Sequence, residues 1–102
     1  MRMRRNTQPR VYVIEMNGKA LVAFEAVLGT EANELLKEEW FRDELLLLRS
    51  GTKQVWDGAS VLKARLANDA EIAEFRSSAS RAKGEELDGL FLAYLIPIDR
   101  PV

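Results

Sequence analysis

The chain contains no cysteine and no histidine among its 102 residues. Without cysteine it has no disulfide and no thiol nucleophile, and without histidine it has no imidazole for acid–base catalysis. Zinc sites built from these two residue types are excluded as well. Every catalytic triad that needs histidine is therefore ruled out, and any catalysis would rest on carboxylate, lysine, tyrosine or serine side chains.

Glycine-rich motifs and long apolar runs are also missing. The six glycines have neither the Walker spacing nor that of a dinucleotide-binding loop. The longest apolar run covers residues 90–96, whereas a membrane-spanning helix needs about 18 such residues. Pro9 and Glu15 interrupt the segment that would have to be apolar in a signal peptide. We expect a cytoplasmic protein of bacterial type, and the lack of cysteine agrees with a reducing compartment.

The net charge of −1 hides an uneven distribution of charge along the chain. Residues 1–10 carry four arginines and no acid, whereas residues 11–50 carry twice as many acidic as basic residues. This pattern predicts a flexible basic N-terminal arm over residues 1–9 and a single α+β domain over residues 10–102. The arm offers four candidate phosphate contacts. They are Arg2, Arg4, Arg5 and Arg10.

An Asn17-Gly18 pair lies between two apolar runs and predicts a β-hairpin with a type I′ turn. A two-residue turn at this point would place Met16 opposite Lys19 and Arg10 opposite Glu25, a favourable pairing of opposite charges. It would also pair Tyr12 with Ala23, Ile14 with Leu21, Val13 with Val22 and Val11 with Phe24. Both faces of this hairpin are apolar, so we expect both to be covered.

A helix is predicted from about residue 31 to Arg49, with Thr30 as its N-cap. Its apolar residues form two stripes on opposite sides. The main stripe contains Ala32, Leu35, Leu36, Trp40, Leu46 and Leu47, and the second contains Phe41, Leu45 and Leu48. A straight helix cannot bury both stripes against one sheet. The second stripe is therefore either a contact surface or is buried within the monomer by a break near Arg42.

Glu39 and Asp43 fall within the main stripe, one helical turn apart. Such an acidic pair could hold a hard cation or act as acid and base. It could equally lie at a solvated seam where Arg42 pairs with both acids. We expect surface acids and no metal site, because two adjacent carboxylates are too few ligands for a metal ion. Trp40 and Trp56 could stack on a ligand, but their spacing is more typical of core residues.

The second half of the chain predicts two strands and one helix. Asp57-Gly58 could close a hairpin between residues 53–56 and 59–67, and the alternation of Leu62, Ala64 and Leu66 with Lys63 and Arg65 indicates a strand. Asn68 or Asp69 caps a helix that runs to about Lys83. Glu85, Glu86 and Asp88 indicate a solvated loop, and residues 90–98 form a last, central strand that is apolar on both faces. The fold class is therefore α+β, a small, mainly antiparallel sheet of four or five strands in the order ββα(β)βαβ with two helices.

The sequence shows no recognisable catalytic residues and no cofactor motif. Our leading hypothesis is a small non-enzymatic protein–protein interaction module that forms a homodimer through Phe41, Leu45 and Leu48. The first alternative is a nucleic-acid-associated accessory protein that uses the arginine arm, and a basic groove continuous with the arm would favour it. The second is a carboxylate- or metal-dependent enzyme, which a deep pocket containing Glu39 and Asp43 would favour.

Overall fold

The computed structural model describes residues 9–81, 84–87 and 90–98. The strands are β1 (Arg10–Met16), β2 (Lys19–Ala26), β3 (Arg49–Ser50), β4 (Lys53–Gln54), β5 (Leu62–Leu66), β6 (Glu85–Leu87) and β7 (Leu90–Tyr94), and the helices are α1 (Gly29–Leu35), α2 (Glu39–Leu47) and α3 (Asp69–Ser80). One antiparallel sheet has the order β5-β1-β2-β7-β6, and β3 and β4 form a separate small hairpin. The α+β fold predicted from the sequence is confirmed, although the described residues form three helices instead of two. Residues 1–8 of the predicted arm, together with Lys83 and Asp88, lie outside the described ranges.

The turn between β1 and β2 has the predicted conformation. Asn17 and Gly18 have φ values of 52° and 80°, so both lie in the left-handed region that a type I′ turn requires. Met16 lies opposite Lys19 and Glu15 opposite Ala20, as this turn predicts. The hairpin therefore begins in the expected register.

Beyond the turn, the predicted register is wrong by one residue. A bulge between Ile14 and Glu15 shifts the pairing, so Arg10 lies opposite Ala26 instead of Glu25. The shift places Phe24 opposite Tyr12, with ring centroids 6.3 Å apart. A bulge adds an unpaired residue to one strand, and here Leu21 and Val22 both join the same buried cluster as a result. The burial of these large side chains stabilises the fold more than the exposed Arg10–Glu25 charge pair of the regular register would have done, because exposed ion pairs contribute little.

Both faces of the sheet are covered, as the sequence predicts. One face packs against α1, α2 and the segment around Trp56, in a core that includes Tyr12, Ile14, Phe24 and Leu92. The opposite face packs against α3 in a smaller cluster of Val11, Val13, Ala23, Phe75 and Ala93. The alternation predicted for the last strand is confirmed, because Leu90 and Leu92 belong to the first core and Phe91 and Ala93 to the second. β7 is also central, since it pairs with both β2 and β6.

The predicted first helix is broken at residues 36–38, not near Arg42. α1 ends in backbone hydrogen bonds of the i to i+3 type, which include those from Lys37 to Glu34 and from Glu38 to Leu35. Glu38 is extended, with φ of −73° and ψ of 126°, and α2 starts after it. The predicted N-cap Thr30 lies inside the first turn of α1. The Glu31 carboxylate instead accepts hydrogen bonds from the backbone N–H groups of Val27 and Leu28, at 2.8 Å and 3.2 Å.

This break corrects the prediction of an exposed interaction surface. Phe41, Leu45 and Leu48 are 0%, 1% and 8% exposed, and all three belong to the core beneath α1 and α2. Because two separate helices can turn different sides toward the sheet, the second stripe is buried within one chain. α3 covers the other face of the sheet, so neither the second stripe nor this face is the uncovered apolar surface from which the homodimer was predicted. In the ranges that the structure describes, no helix is long and apolar enough to cross a membrane.

Two details of the second half differ from the sequence predictions, and a third is confirmed. Asp57-Gly58 does not close a hairpin, because β5 pairs with β1 and β4 pairs with β3. The Asp57 carboxylate instead accepts hydrogen bonds from the backbone N–H groups of Ser60 and Ala59, which lower its pKa. Glu85 and Glu86, predicted in a loop, lie in β6. Asn68 caps α3 as predicted, through a 2.8 Å hydrogen bond from the Glu71 backbone N–H.

We expect Leu45→Ala to lower the free energy of unfolding by about 2–5 kcal/mol, because it leaves a cavity in the core. Leu47→Ala is the matched control, since Leu47 lies in the same helix and is 77% exposed, and it should cost less than about 0.5 kcal/mol. Urea denaturation of both variants measures the difference. Equal costs would contradict the burial of the second stripe.

Candidate functional site

The main candidate site is a groove of about 420 Å³ beside α1. Its floor is apolar and consists of Phe24, Ala26, Leu35, Trp40 and Leu90. Four exposed glutamates surround this floor, namely Glu25, Glu31, Glu34 and Glu38. We call these nine residues the acidic groove. Its composition combines an apolar contact area with a concentrated negative charge.

The break in the helical region gives the groove its shape. Glu31 and Glu34 lie one turn apart on α1, and Glu38 lies where the chain turns between α1 and α2. Trp40 follows in the first turn of α2. Glu25 and Ala26 end β2, and Leu90 begins β7. Two strand ends and two helices therefore meet around one depression.

No basic side chain in the described ranges forms an ion pair with a glutamate of the groove. The ion pairs found there are those of Arg65 with Glu15 and Glu71, on the opposite face of the sheet from α1. Like charges at this spacing on a helix repel one another by a few tenths of a kcal/mol, roughly 0.2–0.5 per pair. An incoming cationic group would relieve this repulsion. The arrangement therefore favours positively charged ligands.

Trp40 adds an aromatic side chain to the floor. It is half-buried and makes an edge-on contact with Phe41, with ring centroids 5.9 Å apart. Its indole Nε1–H is buried and has no hydrogen-bond partner in the described part of the chain. Trp56, the other tryptophan, is 4% exposed and donates its indole N–H to the Ser60 carbonyl at 2.9 Å. The expectation of a core residue thus holds for Trp56, whereas Trp40 lies at the boundary between core and groove.

The acidic pair predicted from the sequence lies outside this groove. Glu39 and Asp43 are both exposed on α2, and neither lines the acidic groove. Arg42 does not pair with either acid, and its guanidinium carbon lies 5.8 Å from the centroid of the Trp56 ring. Within the described ranges, no three acidic side chains come together where they could hold a metal ion.

The candidate phosphate contacts fall in two places. Arg2, Arg4 and Arg5 lie outside the described residues, whereas Arg10 is exposed at the start of β1. The Cα partner of Arg10 is Ala26, which lines the acidic groove. The groove next to the start of β1 is therefore acidic, and the described residues form no basic groove there that would support nucleic-acid binding.

A second polar cluster joins three elements on the other face of the sheet. Arg65 on β5 donates to Glu15 on β1 at 3.0 Å and makes a two-pronged contact with Glu71 on α3, at 2.7 Å and 2.8 Å. The hydrogen bonds from Arg65 lower the pKa of Glu71. Two-pronged arginine–carboxylate contacts hold a defined geometry, so this cluster fastens α3 to the sheet. We assign it a structural role.

Sequence reasoning missed both sets of residues. Glu31, Glu34 and Glu38 are spaced by three and four residues, a pattern that places acids on one side of a helix. That spacing could have indicated an acidic surface, but Glu25 and Leu90 join it only through the pairing of β2 with β7. The Arg65 cluster involves residues up to 50 positions apart, and no local pattern reveals such contacts.

We expect Glu71→Gln to lower the free energy of unfolding at about pH 7 by roughly 1–3 kcal/mol, because it removes charged hydrogen bonds to Arg65. The folded-state pKa of Glu71 is lowered. Its contribution is therefore fully present above the ordinary glutamate pKa of about 4.3 and is lost as the pH falls through the lowered value. The difference between wild type and variant should accordingly shrink in acid. Glu74→Gln, an exposed change one turn along α3, is the control, and a difference independent of pH would contradict this role.

Comparisons with known proteins assign no family to the chain. No protein-family model, no curated protein and no solved structure matches it.

Proposed function

We propose that the chain is a non-enzymatic protein–protein interaction module whose acidic groove binds an extended basic segment of a partner protein. The observation that carries this proposal is the set of four glutamates around an apolar floor, with no cationic partner in the described ranges. A patch of this composition needs both charge neutralisation and apolar contact. A segment that carries arginine or lysine beside apolar residues supplies both.

The chemistry of basic side chains fits the groove. Arginine and lysine have apolar stems and charged ends, so the stem can lie along the half-buried Trp40 and Leu90 while the end reaches a glutamate at the rim. A guanidinium group can also contact a carboxylate through two parallel hydrogen bonds and can stack on an aromatic ring. An arginine-bearing segment is thus the ligand that uses most of the groove's features.

The composition of the groove supports binding without catalysis. Among the described residues that line it, there is no serine, tyrosine or lysine that could act as a nucleophile beside the glutamates. Glu39 and Asp43, the pair that could have supported a carboxylate-dependent enzyme, lie elsewhere on α2. We therefore place the function in recognition of a partner, in the cytoplasmic setting that the composition suggests.

The direct test is binding of a short synthetic peptide in which arginine alternates with leucine. We expect wild-type protein to bind it at low ionic strength, and the double variant Glu34→Gln and Glu38→Gln to bind it at least about tenfold more weakly, a change of about 1.4 kcal/mol. Added salt should weaken binding, because the contacting groups are exposed. Fluorescence anisotropy of the labelled peptide measures all three effects.

The matched control removes the same charge from a different place on the surface. Glu39→Gln combined with Asp43→Asn also changes two exposed acids, but neither residue lines the groove, so the affinity should change less than about threefold. A peptide in which glutamate replaces arginine should not bind. If both double variants weaken binding equally, the attraction is a property of the net charge and the proposal is wrong.

A further inference from the structure

The chain itself carries a basic segment that joins the fold next to the acidic groove. Residues 1–8 contain three arginines and no acidic residue. They lead through Pro9 into Arg10, the first residue of β1, whose Cα partner is the groove residue Ala26. A basic segment, which is the kind of ligand proposed for the groove, is thus attached to the fold at the edge of the groove.

The distance from the start of β1 to the groove is short. The groove lies at the end of β2, beside β1, and continues to Leu90 on β7, the next strand of the sheet. Neighbouring strands are about 4.8 Å apart, so two strand spacings amount to about 10 Å. Four extended residues span up to about 14 Å. Arg4 and Arg5 are therefore close enough in sequence to Pro9 to reach the glutamates at the rim.

We infer that residues 1–8 occupy the acidic groove of their own chain and regulate the access of the partner segment. This inference rests on the proposed function, because both require the groove to accept a basic segment. A short tether gives an attached segment an effective concentration of the order of millimolar. Even a weakly bound arm would then fill the groove for much of the time, whereas a second copy at micromolar concentration would compete poorly.

Occupation by the arm has a measurable consequence for the partner. A ligand that binds only the open groove shows an affinity reduced by the fraction of chains whose groove is open. Removing the charges of the arm should raise that fraction. A partner segment would therefore have to displace the arm, and only a segment that binds the groove more tightly than the arm would occupy most of the grooves.

The test uses the 102-residue chain in which Arg2, Arg4 and Arg5 are all changed to Gln. We expect this arm variant to bind the arginine–leucine peptide about tenfold more tightly than wild type, which corresponds to a groove that is open in about a tenth of wild-type chains. The matched control changes Lys63, Arg76 and Arg81 to Gln. These are three exposed basic residues that do not line the groove, and their loss should leave the affinity within about twofold of wild type.

A second measurement reports on the groove without any peptide. The chain has two tryptophans, so its NMR spectrum contains two indole N–H signals that Trp40→Phe assigns. The Trp40 signal should differ between wild type and the arm variant, and the Trp56 signal should not. No change in either signal would overturn the inference.

The outcomes separate this inference from the proposed function. Equal and tight binding of the peptide to wild type and the arm variant overturns the inference and leaves the proposed function standing. No binding to either protein overturns the proposed function as well. Light scattering adds a third outcome, for which we expect the monomer mass of 11.6 kDa. A doubled mass that the arm variant abolishes would place the arm in the groove of a second copy, which overturns occupation within one chain.

Discussion

The sheet of this protein is apolar on both faces, and the arrangement of the helices follows from the need to cover both. Val13 and Val22 point to opposite faces and are both fully buried. Burying one large apolar side chain contributes roughly 1.5–3 kcal/mol, so an uncovered face would forfeit much of the stability of a domain this size. The break between α1 and α2 allows both helices to cover one face, while α3 covers the other. The acidic groove lies where the chain turns between α1 and α2, so it results from the same break.

The elements that could be predicted from the sequence are those specified by neighbouring residues. Asn17-Gly18 determines its own turn, and Asn68 with Glu71 determines the start of α3. The alternation of Leu90 to Ala93 assigns each side chain to a face, because successive residues of a strand point to opposite sides. In each case the physical cause lies within a few residues of its effect.

The elements that could not be predicted depend on packing between distant segments. The bulge at Ile14 is favoured because it brings Leu21 and Val22 into the same core, and that core is built partly by α2 and β7. The break at residues 36–38 contains neither proline nor glycine, so neither of these local signals marks it. It allows residues of both helices to pack in one core against the sheet. The candidate site also depends on packing between distant segments. Three of its glutamates are visible as a spacing along the chain, but the floor that makes them a groove comes from β2, α2 and β7.

The open edge of the sheet at β5 has a further consequence for how copies of this protein behave at high concentration. An edge strand exposes unpaired backbone groups that can recruit strands from other molecules, which is a route to aggregation. β5 has only five residues, and it carries exposed Lys63 beside the ion-paired Arg65. Charged side chains on an edge strand, lysine above all, are a device that discourages another strand from pairing there. The short length and the charges of β5 therefore disfavour strand addition at this edge when the protein is concentrated.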